Sequence, residues 1–541
     1  MRLPDAIRTP LNTDSRLRNR TAVAVAVTTA LAMFAGPQAH ADDTDVQALK
    51  QQVQQLQHKI DELAARQSAQ ATASAPAQAT AAPAGGGGSP SFYAGPIKIT
   101  PGGFVELMAI DRNREEFADW ASNYNTSIPF PNSHNYDMSE FHLTERQSRL
   151  QALVEGPESA SNKVWGYVEM DFGGATTNGN NNQSSSFAPR VRHFYADYQN
   201  SDTGLSLLFG QTWSLVTGFK SGLTPRQENI PQTIDGQYVP GFDWLRVPQI
   251  RISENFNDVV NVGVSLENPA VQVSANNNLP GTLPTGVTNL YGNSYYLAAG
   301  ASNAYASTTN VTTDSLPDIV AKVAVDPGYG HYELFGVMRW FRSRYTLTGA
   351  QDNQTTHGTG IGASVLLPLV PKLLDFQASV LAGTGVGRYG STGEPDATVN
   401  PTTGALAAIR GFQTMGGLTL HLDPVTLFGY VGLEKVDSRS FNVAQGTAGT
   451  IYGYGYGNAL FSNAGCEGPE GTSLTCSGNT NYIASGTAGG WWKFYQGPLG
   501  NMQVGLTDTY LKRQAFEGVG GAPSTNMNIV AVSFRYYPFQ K

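Results

Sequence analysis

Residues 163–172 alternate with a period of two. Val164, Gly166, Val168, Met170 and Phe172 are apolar or small, and Trp165, Tyr167, Glu169 and Asp171 fall between them. Successive side chains of a strand point to opposite faces, so this segment has one oily face and one that accepts water. The pattern recurs from Ile99 to the C-terminus and predicts about sixteen strands between residues 102 and 539. Among them, Val260, Val262, Val264 and Leu266 share one parity, as do Ile319, Ala321, Val323 and Val325.

The connections decide which solvent the oily face meets. After even-numbered strands they are short and turn-like: Gly156-Pro157, Asn200-Ser201-Asp202, Asp326-Pro327-Gly328, Asp423-Pro424 and Gly497-Pro498. After odd-numbered strands most are long and polar, as at 112–140, 215–247, 268–315 and 438–480. Short turns gathered at one end and long loops at the other are the mark of a transmembrane β-barrel, whose oily face meets lipid and whose polar face lines water. The expected fold is therefore an all-β transmembrane barrel of about 16 antiparallel strands over residues 96–541. An even strand number returns both barrel termini to the turn side. Aromatics near strand ends, including Trp340, Trp491, Trp492, Tyr495, Tyr536 and Tyr537, are candidates for the interfacial girdles.

Composition agrees. The chain has 60 Gly among 541 residues and a mean hydropathy of −0.25. It holds no apolar run of the roughly 20 residues a membrane helix needs; a barrel needs none, because only alternate residues touch lipid. The formal net charge of −8 argues against nucleic acid as a partner.

Residues 1–41 read as a secretory signal. Five arginines from Arg2 to Arg20 precede the apolar run 22–36, and Ala39-His40-Ala41 offers a small-x-small cleavage site. Over 42–66, Val46, Leu49, Val53, Leu56, Ile60 and Leu63 recur at steps of three and four and predict a short α-helical coiled coil that self-associates. Peptide rules for such a seam favour dimers, unless the following domain dictates the stoichiometry. An Ala/Pro/Gly-rich linker, 67–95, holds this helix off the barrel, which places the coiled coil in the periplasm. Cys466 and Cys476, the only cysteines, lie in one polar stretch and are expected to form a disulfide closing a short loop. Two thiols without a nearby His or third Cys do not make a zinc site, and neither metal nor cofactor is expected.

Opposite the lipid parity, Arg149, Arg251, Lys322, Arg339 and Arg535 point into the lumen, together with Glu106, Glu169, Asp171, Glu333 and Glu434. Fixed cations lower the barrier for anions and raise it for cations. Arg190 and Arg192 stay ambiguous, because the other parity of their strand, Val191, His193, Tyr195 and Asp197, is no more apolar. The connection after the fifth strand, 215–247, carries Lys220, Arg226, Asp243 and Arg246, and is expected to fold inward and narrow the channel.

Several short motifs add a resemblance. The barrel opens Gly102-Gly103-Phe104 after the signal, helix and linker. Gln147-Ser148-Arg149-Leu150, Arg192-His193, Leu208-Phe209-Gly210-Gln211, Leu316-Pro317-Asp318-Ile319-Val320 and Gly387-Arg388-Tyr389 follow. The chain resembles the DcaP-like trimeric outer-membrane porins of Gram-negative bacteria, which are related to the phosphate-selective porins. The resemblance implies sixteen strands, a homotrimer, a periplasmic coiled coil, and diffusion of small anionic solutes such as dicarboxylates through an Arg-lined constriction. The chain departs from many outer-membrane barrels in ending Phe539-Gln540-Lys541 instead of on an aromatic residue.

The leading expectation is thus a passive channel in outer-membrane lipid, not an enzyme. A barrel-embedded hydrolase has no Gly-x-Ser-x-Gly elbow or His-Glu-x-x-His helix to support it. A non-conducting adhesive or structural barrel is the remaining alternative.

Overall fold

The structure is a computed structural model. It describes residues 90–540 except 117, 119, 121–123, 158, 175–186, 275–286, 293–313, 348–349 and 446–448. The signal, the seam from Val46 to Leu63 and nearly all of the linker lie outside the described residues.

Sixteen antiparallel strands form the barrel: β1 (Ile97–Arg112), β2 (Glu140–Thr144 continued by Arg149–Glu155), β3 (Asn162–Gly174), β4 (Ala188–Asn200), β5 (Leu205–Trp213), β6 (Arg246–Phe256), β7 (Val260–Glu267), β8 (Asp318–Val325), β9 (His331–Leu347), β10 (Ala350–Val370), β11 (Leu374–Thr384), β12 (Arg410–Leu422), β13 (Val425–Val436), β14 (Thr480–Gly497), β15 (Gly500–Ala515) and β16 (Ser524–Tyr537). Each pairs with its neighbours in sequence, and β1 pairs with β16 from Val105↔Tyr536 to Arg112↔Ile529, which closes the sheet. Closure leaves no unpaired edge for lipid to meet. The turns after even strands are tight. Between β6 and β7, Asn257 and Asp258 both take positive φ, 55° and 58°, as a type I′ turn needs and as Asn and Asp tolerate.

Facing follows the alternation. In β3, Trp165, Tyr167, Glu169 and Asp171 are buried in the lumen and Val164 is exposed outside. Val262, Val264 and Leu266 of β7 and Val323 of β8 are likewise exposed on the outer wall. Two of the expected girdle aromatics face the other way. Trp491 lies inside and donates through Nε1 to Gln232 O at 2.7 Å, while Trp492 is exposed outside. Tyr537 turns inward against Phe104, while the Tyr536 hydroxyl donates to Leu499 O at 2.7 Å in the β14–β15 turn. Adjacent strand residues cannot share a face, so each such pair gives one ring to the outer wall.

The lumen is not an open tube. Ile234, Tyr238, Val239 and Phe242 of the connection 214–245 pack in one apolar cluster with Met415, Phe428, Ile483, Leu511 and Ile529 of the inner wall. Trp120, Tyr124 and Ile128 of the first long connection join this cluster. Val386 and Tyr389, after β11, pack with Leu215, Val216 and Phe219. The disulfide Cys466–Cys476 is present in the connection after β13, with Cys466 buried against Phe130.

Candidate functional site

The connection 214–245 is pinned to the inside wall by charged side chains of the strands it passes. Glu267 accepts bonds from Ser214 Oγ at 2.8 Å and Leu215 N at 2.9 Å. Lys322 Nζ donates to Thr217 O at 2.8 Å and pairs with Glu333 at 2.9 Å, and Glu333 in turn accepts from Phe219 N. Asp326, at the turn end, accepts from Gly222 N at 3.0 Å. The segment then doubles back, with Phe219 bridged to Glu228, and crosses to the opposite wall. There Arg535 holds Ile234 O, Thr487 holds Tyr238 O and Glu434 holds Gly241 N, all at 2.8 Å.

Three of the inward cations lie beside or beneath the loops: Lys322 and Arg339 bond loop atoms directly, and Arg251 lies 5.7 Å from the Phe219 ring of the loop. Arg251 is buried and donates to Trp213 O at 2.6 Å and Gln249 at 3.0 Å. Lys322 is buried beneath the loop as described. Arg339 is buried between Asp318 at 3.0 Å and Asp396 at 2.7 Å and also donates to Gly385 O. Inward parity places a side chain in the lumen; here loops fill the lumen beside those strands.

A cavity of about 560 Å³ remains on the short-turn side of the loop. Arg149, Arg192 and Arg535 line one wall, and Lys220, Trp244 and residues 229–236 of the loop face them. Arg535 pairs with Glu106 at 3.2 Å and Arg149 with Glu169 at 3.4 Å. Arg192 bridges Glu169 at 2.5 Å and Asp171 at 3.0 Å, and Arg190 pairs with Asp171 at 2.6 Å. Arg246 lies 4.6 Å over Trp213 and 5.0 Å over Trp244, with its Nη1 lacking a hydrogen-bond partner. Five guanidinium groups thus gather around three carboxylates on this wall, an excess of positive charge. From the loop, Arg226 sits 4.9 Å over the Tyr167 ring. Asp243 is buried within the loop, and its carboxyl is held well above the usual carboxylate range by that burial.

No protein-family model matches the chain, and no characterised protein matches it in sequence. Solved structures do. The outer membrane channel DcaP of Acinetobacter baumannii superposes with a TM-score of 0.55 at 19% identity, over 83% of this chain and 99% of that one. The outer-membrane expressed OmpT of Vibrio cholerae gives 0.42 at 8% identity, over 83% and 100%. The anion-selective porin from Comamonas acidovorans gives 0.40 at 11%, over 82% and 99%. The fold is that of the outer membrane channel DcaP.

In this barrel the alternation of β4 alone does not place Arg190 and Arg192 in the lumen. A β-bulge does. Glu169 pairs with His193 and Met170 with Val191, so Arg192 is an extra residue with no partner of its own. One extra residue inverts the parity of everything beyond it. Arg190 and Arg192 point inward on one side of the bulge, and His193, Tyr195 and Asp197 on the other. The outward apolar residues show it, because Val191 and Phe194, both exposed, are three apart. Among the described residues, the Ser364–Glu333–His331 chain is out of order for catalysis: Ser364 bonds Glu333, as His331 does at 3.0 Å, so the hydroxyl meets the acid and not the imidazole.

Proposed function

We propose that this porin lets small hydrophilic anions, dicarboxylates among them, diffuse passively across the outer membrane, as a homotrimer with its coiled coil in the periplasm. One observation carries the reading: Arg149, Arg192 and Arg535 converge on a single wall of the remaining cavity, and with Lys220 and Lys493 the cations that border it outnumber its bordering carboxylates, Asp235 and Asp375. An anion beside that wall meets favourable potential along its path, and a cation meets a barrier. Lys322 and Arg339 act at one remove, by fixing the loops that shape the path, and Arg251 by bracing the wall at Trp213, where the loop begins. DcaP is by its description an outer membrane channel, which accords with conduction.

Reversal potentials in planar bilayers under a salt gradient test the proposal, with chloride and then a dicarboxylate as the anion. The expected sign is anionic for both. A cationic sign overturns the assignment of selectivity. The loops that occupy the lumen also suit a barrel closed to ions; a purified protein that inserts and passes no current would establish that second reading.

A further inference from the structure

The outer apolar belt is interrupted on β15 and β16. Outside β15 the residues run Met502, Val504, Leu506 and then Asp508; outside β16 they run Phe534, Val532, Val530 and then Asn528. Val504 lies in one row with Trp492 and Phe534, near the turn end. Asp508 is four residues beyond. At about 3.3 Å per residue on a strand tilted by about 40°, that is roughly 10 Å further up, inside an apolar band about 25 Å tall. Asp508 is exposed, and its Oδ1 accepts a bond from Asn528 Nδ2 at 3.0 Å. A carboxylate at this depth is disfavoured against acyl chains, which offer no donor.

Beside Asp508 the outer wall is hollow. Gly429, Gly486 and Ala488 form the floor of a cavity of about 620 Å³, with Val431 and Tyr510 at its rim. A Cβ built on Gly429 or Gly486 meets nothing within 4 Å. Small residues on a membrane-facing surface let a second wall approach closely. Across the closure seam, Phe141 on β2 and Phe194 on β4 protrude from the same outer surface, both strongly exposed.

We propose that this face, the hollow with Asp508 at its edge, is where a second copy of the chain packs. In a closed ring of identical subunits two different patches meet, and here one face is hollow and another carries protruding rings. The partner copy fills the hollow with side chains of that size and supplies Asp508 with the donor that lipid lacks. This inference rests on the self-association proposed above.

The test uses the full-length chain in mild detergent. Gly486→Trp fills the hollow where nothing obstructs it, and Asp508→Leu restores an apolar outer wall; neither touches the lumen. Native mass spectrometry is expected to show the wild type as an oligomer and both variants shifted toward single chains. A photo-crosslinking side chain at Val431 is expected to join two copies, and the same group at Val264 to join none. Variants that keep the wild-type mass, or a crosslinker at Val431 that captures only lipid or another protein, overturn this placement and leave the oligomer itself intact. A wild-type chain that is monomeric overturns self-association as well.

Discussion

Arg192 reaches the lumen because β4 carries one residue more than β3 opposite it. Its guanidinium, held by Glu169 and Asp171, lies within the cavity wall beside Arg149. A unit charge about 6 Å from a permeating ion in water-like surroundings is worth ~0.7 kcal/mol. Arg192→Gln should therefore lower the anion-to-cation permeability ratio about threefold after screening by salt, read from the reversal potential. Arg251 makes the contrast. Its bonds to Trp213 O and Gln249 are internal, and Trp213 O also accepts from Gln249 Nε2 at 2.9 Å, so Arg251→Ala should cost roughly 1–3 kcal/mol in denaturant unfolding through the charged hydrogen bonds it removes, with no carbonyl left unpaired. Selectivity should move in Arg251→Ala only as far as the loop moves.

At the scale of elements, the loop 214–245 and the segment after β11 meet at one carboxylate. Glu434 accepts from Gly241 N at 2.8 Å, from Ser391 N at 2.8 Å and from Thr392 Oγ1 at 2.6 Å. A bond to a charged group contributes about 1.5–3 kcal/mol. Glu434→Ala should free both segments, and single-channel records should show larger and noisier conductance. Gly241 supports the same joint. Its φ is 85°, and a Cβ there would lie 2.1 Å from Thr414 O, so Gly241→Val should displace the loop with the same electrical signature. Glu394, in the segment after β11, is buried with neither carboxyl oxygen hydrogen-bonded. Burial, and then the neighbouring Glu434 carboxylate, holds its carboxyl well above its ordinary value. Its unfolded value is about 4.3, so the folded state keeps the proton over a window that begins there. Stability from this group is full below that pH and is lost as pH rises toward the folded value. Melting temperatures between acid and alkaline pH should fall less steeply in Glu394→Gln than in the wild type.

For the whole molecule, the sheet closes between β1 and β16 without any residue before Ile97 in the seam. A chain lacking residues 43–92 should therefore still insert and conduct, with a looser oligomer seen by native mass. Loss of insertion would show that the N-terminal segment is needed to build the barrel.

The sequence by itself determined about sixteen strands, the side on which their turns lie, and the outward face of those with a clean alternation, such as β3, β7 and β8. These are local properties: side chains alternate along a strand, and a turn's residues choose its shape. Even the bulge in β4 was written locally, in the spacing of Val191 and Phe194. Only the tertiary structure decided which inward cations border the cavity and which lie beneath a loop. Arg149 and Arg251 read alike along the chain, each charged and each on the polar parity of its strand. They differ because residues 214–245 lie against the inner wall at Arg251, with the Phe219 ring 5.7 Å from its guanidinium, and leave room beside Arg149. A loop's resting place depends on carboxylates and amides hundreds of residues apart, such as Glu434 and Gly241, and no period along the chain records such a meeting.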